Sequence, residues 1–257
     1  VKHLVRLRDS GHRRRQKRFL VEGQRELERA VACSWPLETV YYCESLFGGD
    51  SAQALLEAAR KSGAEMVRMA EPPFLKCAYR QSPDGFLAVA LWRERQLEDL
   101  ILSQEALLVV LEGIEKPGNL GAILRTADGT GAAALILVDP RTDPYNPNAI
   151  RASQGAFFSL PFIEAEADAL RHFLAVEGFA PVLTAPDGEG LLWEADLRGR
   201  KALFLGAEDE GLSPQWRAFG PAWRLPMEGV TDSLNVSAMA AMVLYEAARQ
   251  RQEDFSS

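Results

Sequence analysis

Two rhythms of apolar and polar positions run through the chain. In "RFLVEGQRELERAV" a short apolar strand, Phe19 to Val21, gives way to a helical repeat that puts Leu27 and Val31 on one face. "LETVYYC" is rich in β-branched and aromatic residues and predicts a second strand. In "SAQALLEAARKSG", Ala54, Leu55 and Ala58 repeat at helical spacing, and Gly63 suits the stop. "EMVRM" and "GFLAVAL" read as further strands, parted by a segment that holds Pro72, Pro73 and Pro83.

The same alternation resumes later and more strongly. "ALLVVLEGI" is a continuous apolar run, as in a parallel strand buried on both faces. "NLGAILRTADGTGA" predicts a helix with Leu120, Ile123, Leu124 and Ala127 on one stripe and Asn119 as its N-cap. "ALILVD", "FSLPF", "APVLTA", "KALFLG" and "WRLP" supply more strands, with helices around 147–155 and 165–177 and a last helix from about Asn235 to Gln252. The pattern predicts an α/β protein in two parts: a basic arm over 1–18, a small α/β domain over 19–93, a charged linker over 94–105, and a mostly parallel α/β domain over 106–257.

A chain of 257 residues holds one large or two modest domains, and 47% hydrophobic with 25% charged residues is an ordinary globular balance. No apolar run approaches the ~20 residues of a membrane helix. The basic N-terminus lacks the apolar stretch of a secretory signal, and a first residue other than methionine leaves anything before Val1 undetermined. Cys33, Cys43 and Cys77 are scattered, as reduced cytoplasmic thiols are, and His3, His12 and His172 make no ligand spacing with them, so no metal site is expected.

The net charge of -7 argues against indiscriminate nucleic-acid binding, but its distribution alters that picture. Lys2, Arg6, Arg8, Arg13, Arg14, Arg15, Lys17 and Arg18 stand against Asp9 alone, a local +7. Such an arm suits phosphate contacts; it equally suits a solvated tail.

Candidate chemistry gathers in three loops that follow strands of the second part, where open parallel sheets bind ligands. After "LLVVLEGI" comes "EKPGNLGAILR", with Asn119 and Arg125; Arg125 can grip a phosphate bidentately or simply pair with Asp128. After "KALFLG" comes "AEDEGLS", with Gly206 and Gly211 around Glu208, Asp209 and Glu210; three carboxylates suit a cation or a hydroxyl better than a phosphate. After "WRLP" comes "MEGVTDSLNVS". Ser233 or Asn235 can cap the last helix there, but Asp232, Ser233, Asn235 and Ser237 together exceed what one cap requires. No G-x-G-x-x-G or Walker pattern is present, which disfavours nicotinamide cofactors and NTP hydrolysis.

These three loops, in this order, resemble the motifs of the SPOUT-class RNA ribose 2′-O-methyltransferases, the SpoU/TrmH family. "NLGAILRTAD" resembles the first motif, "LFLGAEDEGLS" the second and "RLPMEGVTDSLNVSAMAAMVLYEA" the third; "NAIRASQGAFFSLPF" is similar to the stretch between the first two. Residues 19–93 are similar to the substrate-binding domain that many members carry, a fold like that of RNA-binding ribosomal proteins. Gly129 and Thr130 stand where many members have Ala-Phe, and Asp232 replaces a common glutamate.

The resemblance implies a deep trefoil knot, a homodimer, and S-adenosylmethionine held by Leu205, Gly206, Glu208, Gly211, Leu225, Met227, Ser233, Leu234 and Asn235. It implies methyl transfer to a ribose 2′-hydroxyl, with Arg125, Asn119, Glu208, Ser233 and Asn235 as the working residues. Ribosomal RNA is the first expected substrate and tRNA the second, contacted by the arm and by Arg125. An arginine credited in the family with removing the hydroxyl proton is better suited, as a cationic guanidinium, to binding phosphate and stabilising an alkoxide. An inactive RNA-binding or ribosome-assembly factor of the same fold, and a base methyltransferase, are the rival readings.

Overall fold

The computed structural model describes residues 1–49, 51–231 and 233–253. In chain order the elements begin α1 (Lys2–Arg6), α2 (Ser10–Gln16), β1 (Arg18–Glu22), α3 (Gln24–Ala32), β2 (Leu37–Tyr42), α4 (Ser51–Lys61), β3 (Glu65–Arg68), α5 (Glu71–Cys77) and β4 (Phe86–Leu91). Next come β5 (Leu107–Glu112), α6 (Pro117–Gly129), β6 (Ala134–Val138), α7 (Pro147–Ala152), α8 (Ala156–Ser159), β7 (Phe162–Glu164) and α9 (Ala167–Val176). The chain continues with β8 (Ala180–Thr184), β9 (Gly190–Leu191), β10 (Lys201–Leu205), α10 (Pro214–Arg217), β11 (Ala222–Arg224) and α11 (Val236–Glu253). Among the described residues no helix is long and apolar enough to cross a membrane.

Two compact units result, one of residues 1–93 with 143–159 and one of 94–142 with 160–257. The first is built on a sheet ordered β1-β4-β2-β3, with β4 antiparallel to both neighbours and β3 parallel to β2. Leu4, Leu7, Leu20, Phe74, Cys77, Leu87 and Val89 form a core on it.

The arm is therefore not a tail. Asp9 caps α2 by accepting a hydrogen bond from His12 N at 2.8 Å, and Leu4 and Leu7 are buried. The proline-bearing segment between two of the expected strands forms α5, because proline fits a helix's first turn where no N–H partner is needed.

Residues 143–159, expected within the second domain, belong to the first unit. Their aromatic rings explain why: Phe19 lies 4.9 Å from Tyr145 and 5.5 Å from Phe157, and Trp35 lies 5.4 Å from Phe157, between ring centroids. "FSLPF" is not a strand along its length. Its first residues belong to α8, where the Ser153 hydroxyl accepts from Phe157 N at 3.2 Å, and the strand begins only beyond Pro161.

The second unit is a seven-stranded sheet, ordered β7-β6-β5-β10-β8-β11-β9, in which every pairing is parallel. All residues of β5 and β6 are buried, as their continuous apolar sequences require. The chain runs from β5 to β6 and β7 on one side and returns to β10 and β8 on the other. The edge between β5 and β10 is thus a switch point, the usual place for a ligand. Register aligns Leu205 with Leu111, so the loops after these two strands start side by side.

Candidate functional site

Glu112 closes β5 as a buried carboxylate. It accepts from Ser213 N at 2.7 Å and from the Ser213 hydroxyl at 2.6 Å, which ties the end of β5 to the end of the 206–213 loop. At the start of that loop a Cβ on Gly206 would collide with the Gly211–Leu212 backbone, so only glycine permits the fold-back. Gly211 takes the left-handed φ of +66° that completes the turn.

The turn presents Glu208. Its Oε1 accepts from Asn119 Nδ2 at 2.5 Å and from Asn235 Nδ2 at 2.8 Å, and its Oε2 accepts from the Lys116 ammonium. Asn235 Nδ2 also approaches Asn119 Oδ1 at 3.4 Å. One carboxylate thus joins the three loops whose convergence the sequence led us to expect. That carboxylate holds the Lys116 pKa above the usual lysine value, chiefly through their hydrogen bond.

Local folding explains each partner's aim. α6 begins at Pro117, two residues before the expected N-cap, because proline is suited to the first helical position. Asn119 therefore lies within the first turn, and its amide is free to reach Glu208. Asn235 is the cap of α11: its main-chain carbonyl accepts from Met239 N at 3.0 Å and its Oδ1 from Ser237 N at 3.0 Å, leaving Nδ2 for Glu208. Ser233 is exposed, and Asp232 lies outside the described residues.

Arg125 does not join this cluster. It stands on the exposed face of α6, and among the described residues its guanidinium has no hydrogen bond or ion pair, so it is not spent on Asp128. Two side chains unmarked in the sequence reading contribute instead. Lys116 pairs with Glu208, and Arg141 bridges Glu115 at 2.6 Å and Glu210 at 2.5 Å, clamping the first loop to the second. Only their charge signalled them. A cavity of about 430 Å³ opens at the carboxyl ends of β5, β6 and β10, lined by Gly113, Asp139, Arg141, Glu210, Gly211 and Ser213 among others. Its lining includes no residue of the third loop, which meets the other two at Glu208 instead.

Leu225, Met227 and Leu234 are half-buried, and Leu205 is buried. Among the described residues the main-chain groups of 225–231 and of 233–234 enter no hydrogen bond. Unused N–H and C=O groups beside apolar side chains are what an adenine ring needs, so these residues fit S-adenosylmethionine. No group of three His, Cys, Asp or Glu side chains among the described residues gathers so as to hold a metal ion.

The basic arm divides. Arg6, Arg14 and Arg15 are exposed and carry no hydrogen bond or ion pair among the described residues. Lys17 lies 4.9 Å from the Trp92 ring centroid. Arg8 donates to Ala78 O at 2.6 Å, and Arg18 pairs with Glu38 at 2.6 Å. Arg13 is a correction: its side chain is 1% exposed and paired with Asp143 at 2.5 Å, so it cannot meet RNA as expected. The pairing spans 130 positions, and no local pattern could reveal it.

Glu208→Ala removes the shared acceptor and is expected to lower unfolding stability by about 1–3 kcal/mol. Glu208→Gln keeps an oxygen for both asparagines and should lose a fraction of that. Urea denaturation compares the two; equal loss would assign the stability to the Lys116 pairing instead.

Known proteins resemble this chain along most of its length. The chain matches the SpoU rRNA Methylase family over residues 106–245 and the MRM3-like substrate binding domain over residues 1–88. It is 31% identical to the 23S rRNA (uridine(2479)-2′-O)-methyltransferase of Streptomyces viridochromogenes, over 93% of this chain and 85% of that one. It is 34% identical to the 23S rRNA (guanosine-2′-O-)-methyltransferase RlmB of Xylella fastidiosa strain 9a5c, over 86% and 94% respectively. The crystal structure of the SpoU methyltransferase AviRb from S. viridochromogenes with its cofactor AdoMet superposes with a TM-score of 0.89 at 28% identity, covering 100% of this chain and 98% of that one.

Proposed function

The chain belongs to the SpoU rRNA methylase family, and on that premise we propose that it transfers a methyl group from S-adenosylmethionine to a ribose 2′-hydroxyl of 23S ribosomal RNA. The observation that carries this reading to the chain's own residues is the junction at Glu208, where all three motif loops share one carboxylate. The two relatives named above are described as acting on a uridine and on a guanosine, so the family does not fix the base. Their shared 23S rRNA substrate favours ribosomal RNA over tRNA, and a cytoplasmic place of action goes with it.

S-adenosylmethionine, when bound, supplies an electrophilic methyl on a sulfonium. Leu205, Leu225, Met227 and Leu234 would cover its adenine, and the main chain of Gly206, of 225–231 and of 233–234 would hydrogen-bond it. The acidic run from Glu208 to Glu210 tolerates the positive sulfur. Asn119, Glu208 and Asn235 hold the loops in register, and Ser233 and Gly211 border the ribose and cofactor. Arg125 grips the phosphate next to the target ribose and stabilises the oxygen as its proton departs. Much of the rate then comes from positioning, worth ~7–11 kcal/mol where geometry is ideal.

The second unit carries, in this reading, the deep trefoil knot of the SPOUT class, a rare exception to the rule against threaded chains. The working enzyme is a homodimer. Ala238, Met242 and Tyr245 form an exposed stripe at helical spacing on α11, with Met242 50% and Tyr245 63% exposed, which suits a second copy.

Purified protein is expected to run as a dimer by light scattering and to methylate protein-free 23S rRNA from a strain lacking its gene. Mass spectrometry of the digested product reads a 2′-O-methyl nucleoside. A base-methylated nucleoside, or RNA binding with no heat on cofactor titration, would replace the proposal with one of its rivals.

A further inference from the structure

Tyr79 of the first unit is an exposed aromatic side chain held rigidly. Its residue surface is 44% exposed. Glu22 fixes the main chain beneath it, with Oε2 accepting from Tyr79 N at 2.8 Å and Oε1 from Arg80 N at 3.0 Å. Glu22 is itself buried, and burial pushes its carboxyl above the usual carboxylate range. Burying a carboxylate is costly, and simple turn formation does not require it. The outer end of the ring is fixed too. Asn148 Nδ2 donates to the Tyr79 hydroxyl at 3.3 Å, and Arg151 Nη2 donates to Asn148 Oδ1 at 3.3 Å. Tyr79, Arg80, Pro147, Ile150 and Arg151 line one surface depression.

Charge indicates what would come to this surface. The first unit holds 17 Lys and Arg against 12 Asp and Glu, a net +5, whereas the second holds 12 against 24, a net -12. A polyanion is drawn to the first unit and repelled by most of the second. An immobilised ring beside a guanidinium is the pairing that single-stranded nucleic acid uses: the base stacks and the cation takes the neighbouring phosphate. Arg80 is largely committed to Glu26 at 2.9 Å, whereas Arg151 is exposed and has only the Asn148 amide oxygen as a described partner.

We propose that Tyr79 and Arg151 form a subsite for an unpaired nucleotide of the RNA substrate, the base stacked on Tyr79 and its phosphate bound by Arg151. Asn148 and Glu22 are positioning residues for it. The inference rests on the RNA methyltransferase reading and adds to it a place on the first unit where a single strand is gripped.

Fluorescence anisotropy of the 257-residue chain with a short fluorescein-labelled oligouridylate, and with a duplex of the same length, tests it. Tyr79→Ala is expected to weaken oligouridylate binding about five- to a hundredfold and duplex binding little, while Tyr79→Phe keeps most of the affinity. Arg151→Ala should weaken binding and lower the log–log salt slope by about 0.7, the share of one phosphate on a single strand, and Arg151→Lys should keep the slope. Calorimetric titration with S-adenosylmethionine on the same preparations should give unchanged affinity and so checks the fold. Wild-type protein that ignores oligouridylate, or Tyr79→Ala and Arg151→Ala proteins that bind it as the wild type does, would overturn the subsite. Should Tyr79→Ala unfold, the Arg151 pair decides alone. Failure of the methyltransferase reading shows elsewhere, as absent cofactor heat and absent methyl transfer in the wild type.

Discussion

Arg125→Ala is expected to lose about 100- to 1,000-fold in single-turnover methyl transfer while binding S-adenosylmethionine as the wild type does. The two halves of that result come from different parts of the second unit. Arg125 projects from the exposed face of α6 and takes no part in the Glu208 junction, so its removal leaves the three loops tied. The loops proposed to hold the cofactor follow β10 and β11, and among the described residues no hydrogen bond or ion pair joins Arg125 to them. In its proposed role Arg125 supplies a fixed positive charge beside the oxygen that becomes anionic, worth most at the transition state and little in the ground state. Arg125→Lys should recover part of the rate, because an ammonium supplies the charge without the planar fork that binds phosphate bidentately. Methyl transfer from labelled cofactor gives the rate, and calorimetry gives the affinity. A parallel loss of cofactor affinity would reassign Arg125 to the cofactor site, and near-normal turnover would remove it from the reaction.

The pattern of apolar positions located β5 and β6 well because each is decided by its own sequence. β5 and β6 are buried from end to end and are apolar from end to end, apart from Glu112. The three loops were legible for a related reason: a loop at the carboxyl end of a parallel strand has its place set by the sheet. Asn119, Glu208 and Asn235 were accordingly expected at one locus, and they meet there. Arg125 was not brought into that cluster, since a residue one and a half turns farther along α6 points elsewhere.

Less legible were features decided by distant partners. The arm was read through its charge, although Leu4 and Leu7, three apart, already marked a buried face. The grouping of 143–159 with the first unit depends on Tyr145 and Phe157 finding Phe19 and Trp35, a match between segments far apart in the chain. Tyr79 and Arg151 line one depression for the same reason, and no local pattern in the sequence joins them.

The buried cation of the arm should matter more to stability than any exposed one. Arg13 donates from Nε and Nη2 to Asp143 Oδ2, at 2.8 and 2.5 Å, and from Nη1 to Leu7 O at 2.9 Å and Arg8 O at 2.7 Å. Arg13→Met keeps much of the volume but strands the Asp143 carboxylate, 8% exposed, without its partner, and leaves two carbonyls without donors. Breaking a buried pair from one side costs about 3–5 kcal/mol, which for a chain of this length lowers the melting temperature by roughly 6–20 °C. Arg13→Lys should rescue little, since a single ammonium cannot span the carboxylate and both carbonyls. Asp143→Asn should cost less than Arg13→Met, and the double variant less than the sum of the two, because the pair is lost only once. Arg14→Ala and Arg15→Ala supply the contrast. Both side chains are exposed, so melting should stay within about 0.5 kcal/mol of wild type, and any effect should fall on RNA affinity and its salt dependence. Differential scanning calorimetry separates the two classes. Equal melting temperatures for Arg13→Met and Arg14→Ala would mean that the Arg13–Asp143 pair contributes nothing to holding the arm, and the arm would then be free to act as the flexible tail its composition allowed.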